Sequence, residues 1–482
     1  MLVAVDSSKV MLMLSTRLLC VFGGLLAVLP VGCASDDQPI EEPEKTGLAG
    51  KVCVAQPGQQ AVAPSADGKR VAFLSCAMAP PVVIVHDLET HEEVELGATR
   101  EHASIEWLPA AHADEPEKYV LFGRPNELWV AAADGASDAV PISSEAAAVH
   151  HAVLQRVSNT DFAPRLHVLE TTDGVRTLSV RGADDGYATP LSIYSDSEVL
   201  SDLSQISASG RTVILTPSAQ DANYVQVQWN TTQSMWVSSA LSFGPAQWVM
   251  APVGLGDTHN FALHEDQLVR VELKTGKVEE IVPTGQGLLD DPAHLVDRED
   301  APGVKYLYYI VNGDPTRRDR DGLMAPETLA EANAVAQRLT PDLSSLLYLS
   351  DGALYAVPAE GGEARALETA ENTSGRIDVA FPPTGASFAY TVGTAVYRVK
   401  LADGSASEIS GTSGVKGLAS YDGAGSAILF LDEADALMRV AGEALEPQPV
   451  AEAVTGFWPL ANSSKILVIA DGVLKVLAFD DP

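Results

Sequence analysis

From residue 50 onward the chain alternates between short apolar runs and polar turns. A turn containing Pro, Asp, Ser or Gly precedes a run rich in Val, Ile, Leu, Tyr and Phe. A tight turn follows, then a second run, then an Asp-Gly or Gly-Gly turn. Pro64-Ser65-Ala66-Asp67-Gly68-Lys69-Arg70 leads into Val71-Ala72-Phe73-Leu74, and Pro341-Asp342-Leu343-Ser344-Ser345 leads into Leu346-Leu347-Tyr348-Leu349. After Ser350-Asp351-Gly352 come Ala353 to Pro358 and then Ala359-Glu360-Gly361-Gly362. The runs have the length and composition of strands, and Asp-Gly and Gly-Gly supply the positive φ that tight hairpin turns need. The expected element is a hairpin meander. Its central pairs fall near 71–88, 118–132, 165–181, 211–230, 259–273, 345–358, 386–401, 426–440 and 465–479, with a damaged copy near 305–325. Beyond that copy, Pro326-Glu327-Thr328-Leu329-Ala330-Glu331-Ala332-Asn333 predicts a short helix, with Pro at its first position and Glu early.

One such sheet cannot bury both of its faces. Repeated every ~40 residues, neighbouring sheets cover each other, and radial packing yields a propeller. The phrase Trp-x-Pro-Asp-Gly-Lys, an apolar run, then Leu-Tyr and later Gly-Gly resembles the TolB-type, WD-like propeller repeat. Residues 341–367 match it best, and 61–75 match its first half. Trp107-Leu108-Pro109, Trp248 with Pro252, and Trp458-Pro459 carry its aromatic. An aromatic there is expected to plug the contact between adjacent blades. The resemblance implies an all-β propeller of four-stranded antiparallel blades in one ring of about 8–10 blades, two smaller propellers being the alternative. The final unit, Val454 to Pro459, Lys465 to Ile469 and Val473 to Phe479, has three strands. Residues 51–55 are therefore expected to pair antiparallel with 473–479 and close the ring.

The first residues differ. Lys9 and Arg17 precede the apolar run Leu18 to Leu29, a charged region and apolar core of a secretory signal. Leu29-Pro30-Val31-Gly32-Cys33 resembles a bacterial lipobox, which implies acylation of Cys33, although Pro30 stands where Leu is usual. The expected organisation is a lipoprotein signal at 1–33, an acidic tether at 34–49 and the propeller at 50–482. With Cys20 in the signal and Cys33 acylated, Cys53 and Cys76 remain, and a disulfide between them is expected in an oxidising compartment.

Charge narrows the function. Sixty-five Asp and Glu against 31 Lys and Arg give a net charge of −34. Nucleic-acid binders concentrate cations, so a nucleic-acid partner is not expected. No Gly-x-Ser-x-Gly, His-Glu-x-x-His, P-loop or Cys-x-x-Cys occurs, and no catalytic, metal or cofactor residue is nominated. Arg317-Arg318-Asp319-Arg320-Asp321-Gly322 departs from a calcium loop at both ends and reads as a solvated charged turn. His150-His151, the one adjacent histidine pair, would point to opposite faces of a strand. The expectation is an exported, lipid-anchored scaffold of the cell envelope, non-enzymatic, held to the membrane by its lipid and binding a protein or peptide partner. A place in an envelope complex is what the resemblance to TolB-like proteins implies. The alternative is a propeller enzyme of lyase, lactonase or glycosidase type, which would need carboxylates or a metal converging from the innermost strands.

Overall fold

The structure is a computed structural model of the 482-residue chain. The residues it describes lie between 52 and 479; the longest stretches outside the description are 1–51, 156–164, 251–258 and 290–305. Cys33 and the expected signal and tether thus lie outside the described residues.

The seventh sheet shows how the sequence builds each unit. Its strands are Ala334–Leu339, Ser345–Ser350, Ala353–Pro358 and Arg365–Ala366, paired in chain order and antiparallel. The first turn is held locally: Thr340 N–H donates to Ser345 O, and Ser345 N–H donates to Thr340 Oγ1. The second is a two-residue hairpin in which Asp351 and Gly352 adopt φ of 48° and 78°, the pair of positive angles of a type I′ turn. Leu346-Leu347-Tyr348-Leu349 is an unbroken apolar run because both faces of the strand are buried. Leu347 and Leu349 meet the eighth sheet, while Leu346 and Tyr348 meet the sixth.

Among the described residues ten such sheets follow one another along the chain. The first spans Val62–Pro64 to Glu93–Ala98, the second Ser104–Leu108 to Val140–Pro141, the third Ala148–Gln155 to Leu191–Asp196, and the fourth Leu200–Ile206 to Met235–Leu241. The fifth spans Gln247–Met250 to Lys277–Val282, the sixth Tyr306–Val311 to Glu327–Thr328, and the eighth Asp378–Ala380 to Ala406–Glu408. The ninth spans Lys416–Tyr421 to Gln448–Ala451 and the tenth Val454–Pro459 to Val473–Leu477. The nine expected hairpins are the central strands of nine sheets, and the damaged copy is the sixth.

Each sheet packs on the next. Leu108 and Leu121 of the second sheet meet Leu166 and Val168 of the third, and Leu169 and Leu178 meet Val213 and Leu215 of the fourth. The inner strands of the fourth and fifth sheets adjoin. Phe261 and Leu268 meet Leu307 and Tyr309, and the series continues through the seventh, eighth, ninth and tenth sheets. The last core closes the circle: Trp458, Leu467 and Leu474 of the tenth sheet share one cluster with Val62, Phe73, Trp107 and Phe122 of the first two. The tenth sheet's first turn is also wedged between its neighbours. A Cβ on Gly423 would lie 1.7 Å from Leu460 O, and one on Gly68 2.9 Å from Ala461 O. One ring of ten sheets follows, since two separate rings would have to close within each half of the chain.

Three expectations need correction. Of residues 51–55, expected along 473–479, Val52 and Cys53 are described: Val52 bridges Ser75 and donates its N–H to Gly472 O, and Cys53 N–H donates to Leu74 O, so these two pair with the first sheet, while 51, 54 and 55 lie outside the described residues. The reason is covalent. Cys53 is bonded to Cys76, Cα to Cα 5.0 Å, and Cys76 directly follows Ser75, so Cys53 is held at the first sheet. Next, 326–333 is not a helix. Glu327–Thr328 is an edge strand paired with Thr316 and Arg317, because Arg317 grips the Glu327 carboxylate through Nε and an Nη at 3.0 and 2.8 Å. Finally, Arg317 and Arg318 are not in a solvated turn; both lie in the strand Asp314–Asp319, and Arg317 is buried. The sixth sheet's inner position is taken by Gly287 to Leu289, with Leu288 bridging Val311.

Candidate interaction rim

In an antiparallel meander the first and third connections lie at one end of the strands, and the second connection and the link to the next sheet at the other. The ring therefore has a turn rim, with segments such as 340–344 and 359–364, and a tip rim, with hairpins such as Asp351-Gly352 and links such as 367–377.

Arginines are drawn to the turn rim and the sheet joints. Arg317 of the sixth sheet donates to Ala359 O and, at 2.8 Å, to Glu360 O of the seventh. Arg365 donates to Ala402 O of the eighth, and Arg398 to Ala444 O of the ninth at 3.0 Å. Arg439 lies 4.6 Å from the Phe479 ring centroid at the tenth. Arg70 donates to Glu117 O and lies 4.7 Å from the Trp107 ring centroid, joining the first sheet to the second. Trp107 itself donates from Nε1 to Ala63 O at 2.7 Å, so the aromatic fills the blade contact as expected. Burial works against the charge of Arg317, but Glu327 and Glu360 beside it outweigh that and hold its pKa above the ordinary value. A buried guanidinium is retained where several carbonyls and a carboxylate accept from it together.

The tip rim is left acidic. Across the sixth to tenth sheets its exposed acids include Glu331, Asp351, Glu371, Glu433, Glu452 and Asp471. Its described cations are Arg376 and Lys416, which face Asp378 at 3.7 Å and Asp435 at 2.5 Å. The turn rim exposes acids too, among them Glu363 and Glu446, but two of its acids are used locally. Asp342 and Asp403 cap their own turns: burial opposes the Asp342 charge, but bonds from Thr340 and Ser344 bring its pKa down, and Ser405 lowers that of Asp403.

The inner strands lining the channel carry few charges. Among the described residues the inner-strand carboxylates are Glu106, Asp202 and Asp378, on the second, fourth and eighth sheets, no two of them neighbours. Among the described residues no group of three or more His, Cys, Asp or Glu could hold a metal ion, and no helix is long and apolar enough to cross a membrane. His150 and His151 fall in the strand Ala148–Gln155. Of the residues singled out in the sequence, Cys53 and Cys76 are brought together. The joint arginines and the acidic rim escaped sequence reading. A recurrent Arg in the third strand, at Arg270, Arg317, Arg398 and Arg439, was the available signal for the first.

Ten antiparallel four-stranded or three-stranded sheets, packed face to face in a closed ring, define a β-propeller. No family model matches the sequence, and no curated protein matches it. Among solved structures, the chain is similar over 92% of its length to 97% of the WD40 domain of SCAP from fission yeast, at 8% identity and a TM-score of 0.39. It is similar over 69% of its length to 98% of BamB from Moraxella catarrhalis, at 11% identity and a TM-score of 0.36. Over 85% of its length it is similar to the tricorn protease, at 9% identity and a TM-score of 0.35, but spans only 44% of that chain. At these values the chain's own residues must carry the functional argument.

Proposed function

We propose that this protein is an exported lipoprotein of the bacterial cell envelope, anchored through Cys33, whose propeller is a non-catalytic scaffold for a cationic protein partner. The anchoring rests on the signal-like run Leu18 to Leu29 and the Val31-Gly32-Cys33 ending. The scaffold reading rests on one observation, the run of exposed acids along the tip rim of the sixth to tenth sheets. Arginines on the turn side are engaged with backbone carbonyls of neighbouring sheets, while the tip side of the sixth to tenth sheets presents the exposed acids Glu331, Asp351, Glu371, Glu433, Glu452 and Asp471. Such a field steers and orients a partner of opposite sign.

The test is chemical cross-linking in intact cells. Wild type should yield adducts of defined mass. The tip-rim variant Glu371→Lys/Glu433→Lys/Glu452→Lys should lose them, and the turn-rim variant Glu363→Lys/Glu446→Lys should keep them. Equal adduct yields in all three would discard the acidic rim as the binding face. For the anchor, mass spectrometry of the mature protein should find acyl chains on Cys33, and Cys33→Ser should release it from the membrane fraction. An unacylated mature N-terminus well past residue 33 would discard that part.

A further inference from the structure

An outer strand offers unpaired N–H and C=O groups to any strand that meets it, and proteins guard such edges with shortness, proline, charge or a bulge. Among the described residues, seven of the eight four-stranded sheets are guarded in one of these ways. The outer strands of the second, seventh and eighth sheets have two or three residues. Those of the first and fifth carry two glutamates each, at Glu93 and Glu95 and at Glu279 and Glu280. That of the third shifts register and ends on Asp196, and that of the ninth contains Pro449. The fourth sheet differs. Its outer strand Met235–Leu241 has seven residues, none of them charged and none proline. It pairs inward without a register shift, from Met235 opposite Asn230 to Leu241 opposite Tyr224. Among the described residues nothing pairs with its other edge.

The sequence around this strand is neutral as well. Between Asp221 and Asp257 there is no Asp, Glu, Lys or Arg, in a chain where these make up 20%. Trp236 packs on the core shared with the third sheet and meets Trp229 edge-on, ring centroids 5.7 Å apart. By alternation Ser238 and Ala240 share its face, and Met235, Val237 and Ser239 the opposite one. Ser238, Ser239 and Ala240 are small and exposed, so a second backbone can come alongside, and Met235 is 51% exposed.

We propose that this edge joins two copies of the chain: Met235–Leu241 pairs antiparallel with the same strand of a second copy about a two-fold axis at Ser238. A two-fold axis brings identical edges together in antiparallel order, so one strand serves both sides of the interface. Outward-facing backbone groups occur at every second residue. Full overlap centred on Ser238 matches them, because Val237 then lies opposite the partner's Ser239 and Ser238 opposite the partner's Ser238. Charge selects the occupant. The chain carries −34, so two copies repel unless they meet on a surface without charge, and the fourth sheet supplies one. A cationic partner is drawn instead to the exposed acids of the sixth to tenth sheets. The dimer goes beyond the scaffold reading and does not depend on it.

The test is sedimentation of the full-length, disulfide-intact protein across a micromolar concentration range, with hydrogen exchange read from peptides covering 235–240. Wild type should be a dimer whose 235–240 amides lose protection on dilution to monomer. Ser238→Lys sets two like charges opposite each other and should raise the dissociation constant about tenfold or more, with the melting temperature unchanged. Gln448→Lys, on the outer strand of the ninth sheet, should leave the dimer intact. Should Ser238→Lys not fold, Ser238→Cys decides, because its thiols should join without added cross-linker and link the two copies. A wild type that stays monomeric, a Ser238→Lys protein that dimerises as wild type does, or engineered thiols that stay free would overturn the proposal. So would 235–240 amides protected in the monomer, which would place another segment of this chain on the edge. A dimer held by the lipid anchor would persist in Ser238→Lys, so the two readings fail separately.

Discussion

His167 is fully buried in the second strand of the third sheet, and among the described residues neither ring nitrogen has a hydrogen-bond partner. Burial above all, and then the Arg165 cation, pushes its pKa down from 6.5 to about 3. The unfolded chain binds that proton near pH 6.5 and the folded chain does not. Stability is therefore intact above about 6.5 and is lost as pH falls toward about 3, by up to ~1.4 kcal/mol per pH unit from this group. His167→Leu removes both the proton linkage and the unpaired nitrogens. The gain in melting temperature of this variant over wild type should grow steadily from pH 7 to pH 4. A difference independent of pH would mean that His167 finds a partner that keeps its pKa ordinary.

The strand Asp314–Asp319 shows how an element is settled by contacts outside it. Its sequence, with two arginines and two aspartates, reads as a loop, yet Pro315 and Thr316 are buried beside Arg317. Arg317 reaches Glu327 in its own sheet and the carbonyls of Ala359 and Glu360 in the next. Arg317→Met keeps the apolar stem but leaves these acceptors without their donor. Loss of one partner from a buried charged network costs about 3 kcal/mol, and urea unfolding should show it. Arg317→Lys should recover less than half, because an ammonium cannot donate as a planar fork to three acceptors. Full recovery with Lys would reduce the joint to charge alone.

At the scale of the whole ring the decisive seam is between the tenth and first sheets. Trp458, Leu467 and Leu474 from one side and Val62 and Phe73 from the other bury a common core, and Val52 and Cys53 are part of it. The disulfide to Cys76 holds those two residues at the seam. Cys53→Ser/Cys76→Ser should lower stability by ~3 kcal/mol through the loop it opens. Exchange should rise first at 473–477 and in the first sheet, before it rises in the seventh and eighth. Uniform loosening around the ring would show that the bond stabilises the chain without serving the seam.

Strand positions and hairpin turns were legible in the sequence because their causes are local. Asp351-Gly352 and Asp471-Gly472 make their turns with two residues, and a run such as Leu346 to Leu349 is apolar throughout because the strand is covered on both faces. The propeller class was legible for the same reason, since a repeated unit with two apolar faces must stack. Val52 and Cys53 were assigned to the last sheet because strand propensity does not register a covalent bond, and Cys53 follows Cys76 to the first sheet. Residues 326–333 looked helical by their own preferences, but Arg317 and the sheet edge it belongs to decided otherwise. The arginine contacts between neighbouring sheets were hidden altogether. Whether an arginine meets a carbonyl 42 residues away, as Arg317 meets Ala359, depends on which sheets become neighbours, and only closure of the ring determines that.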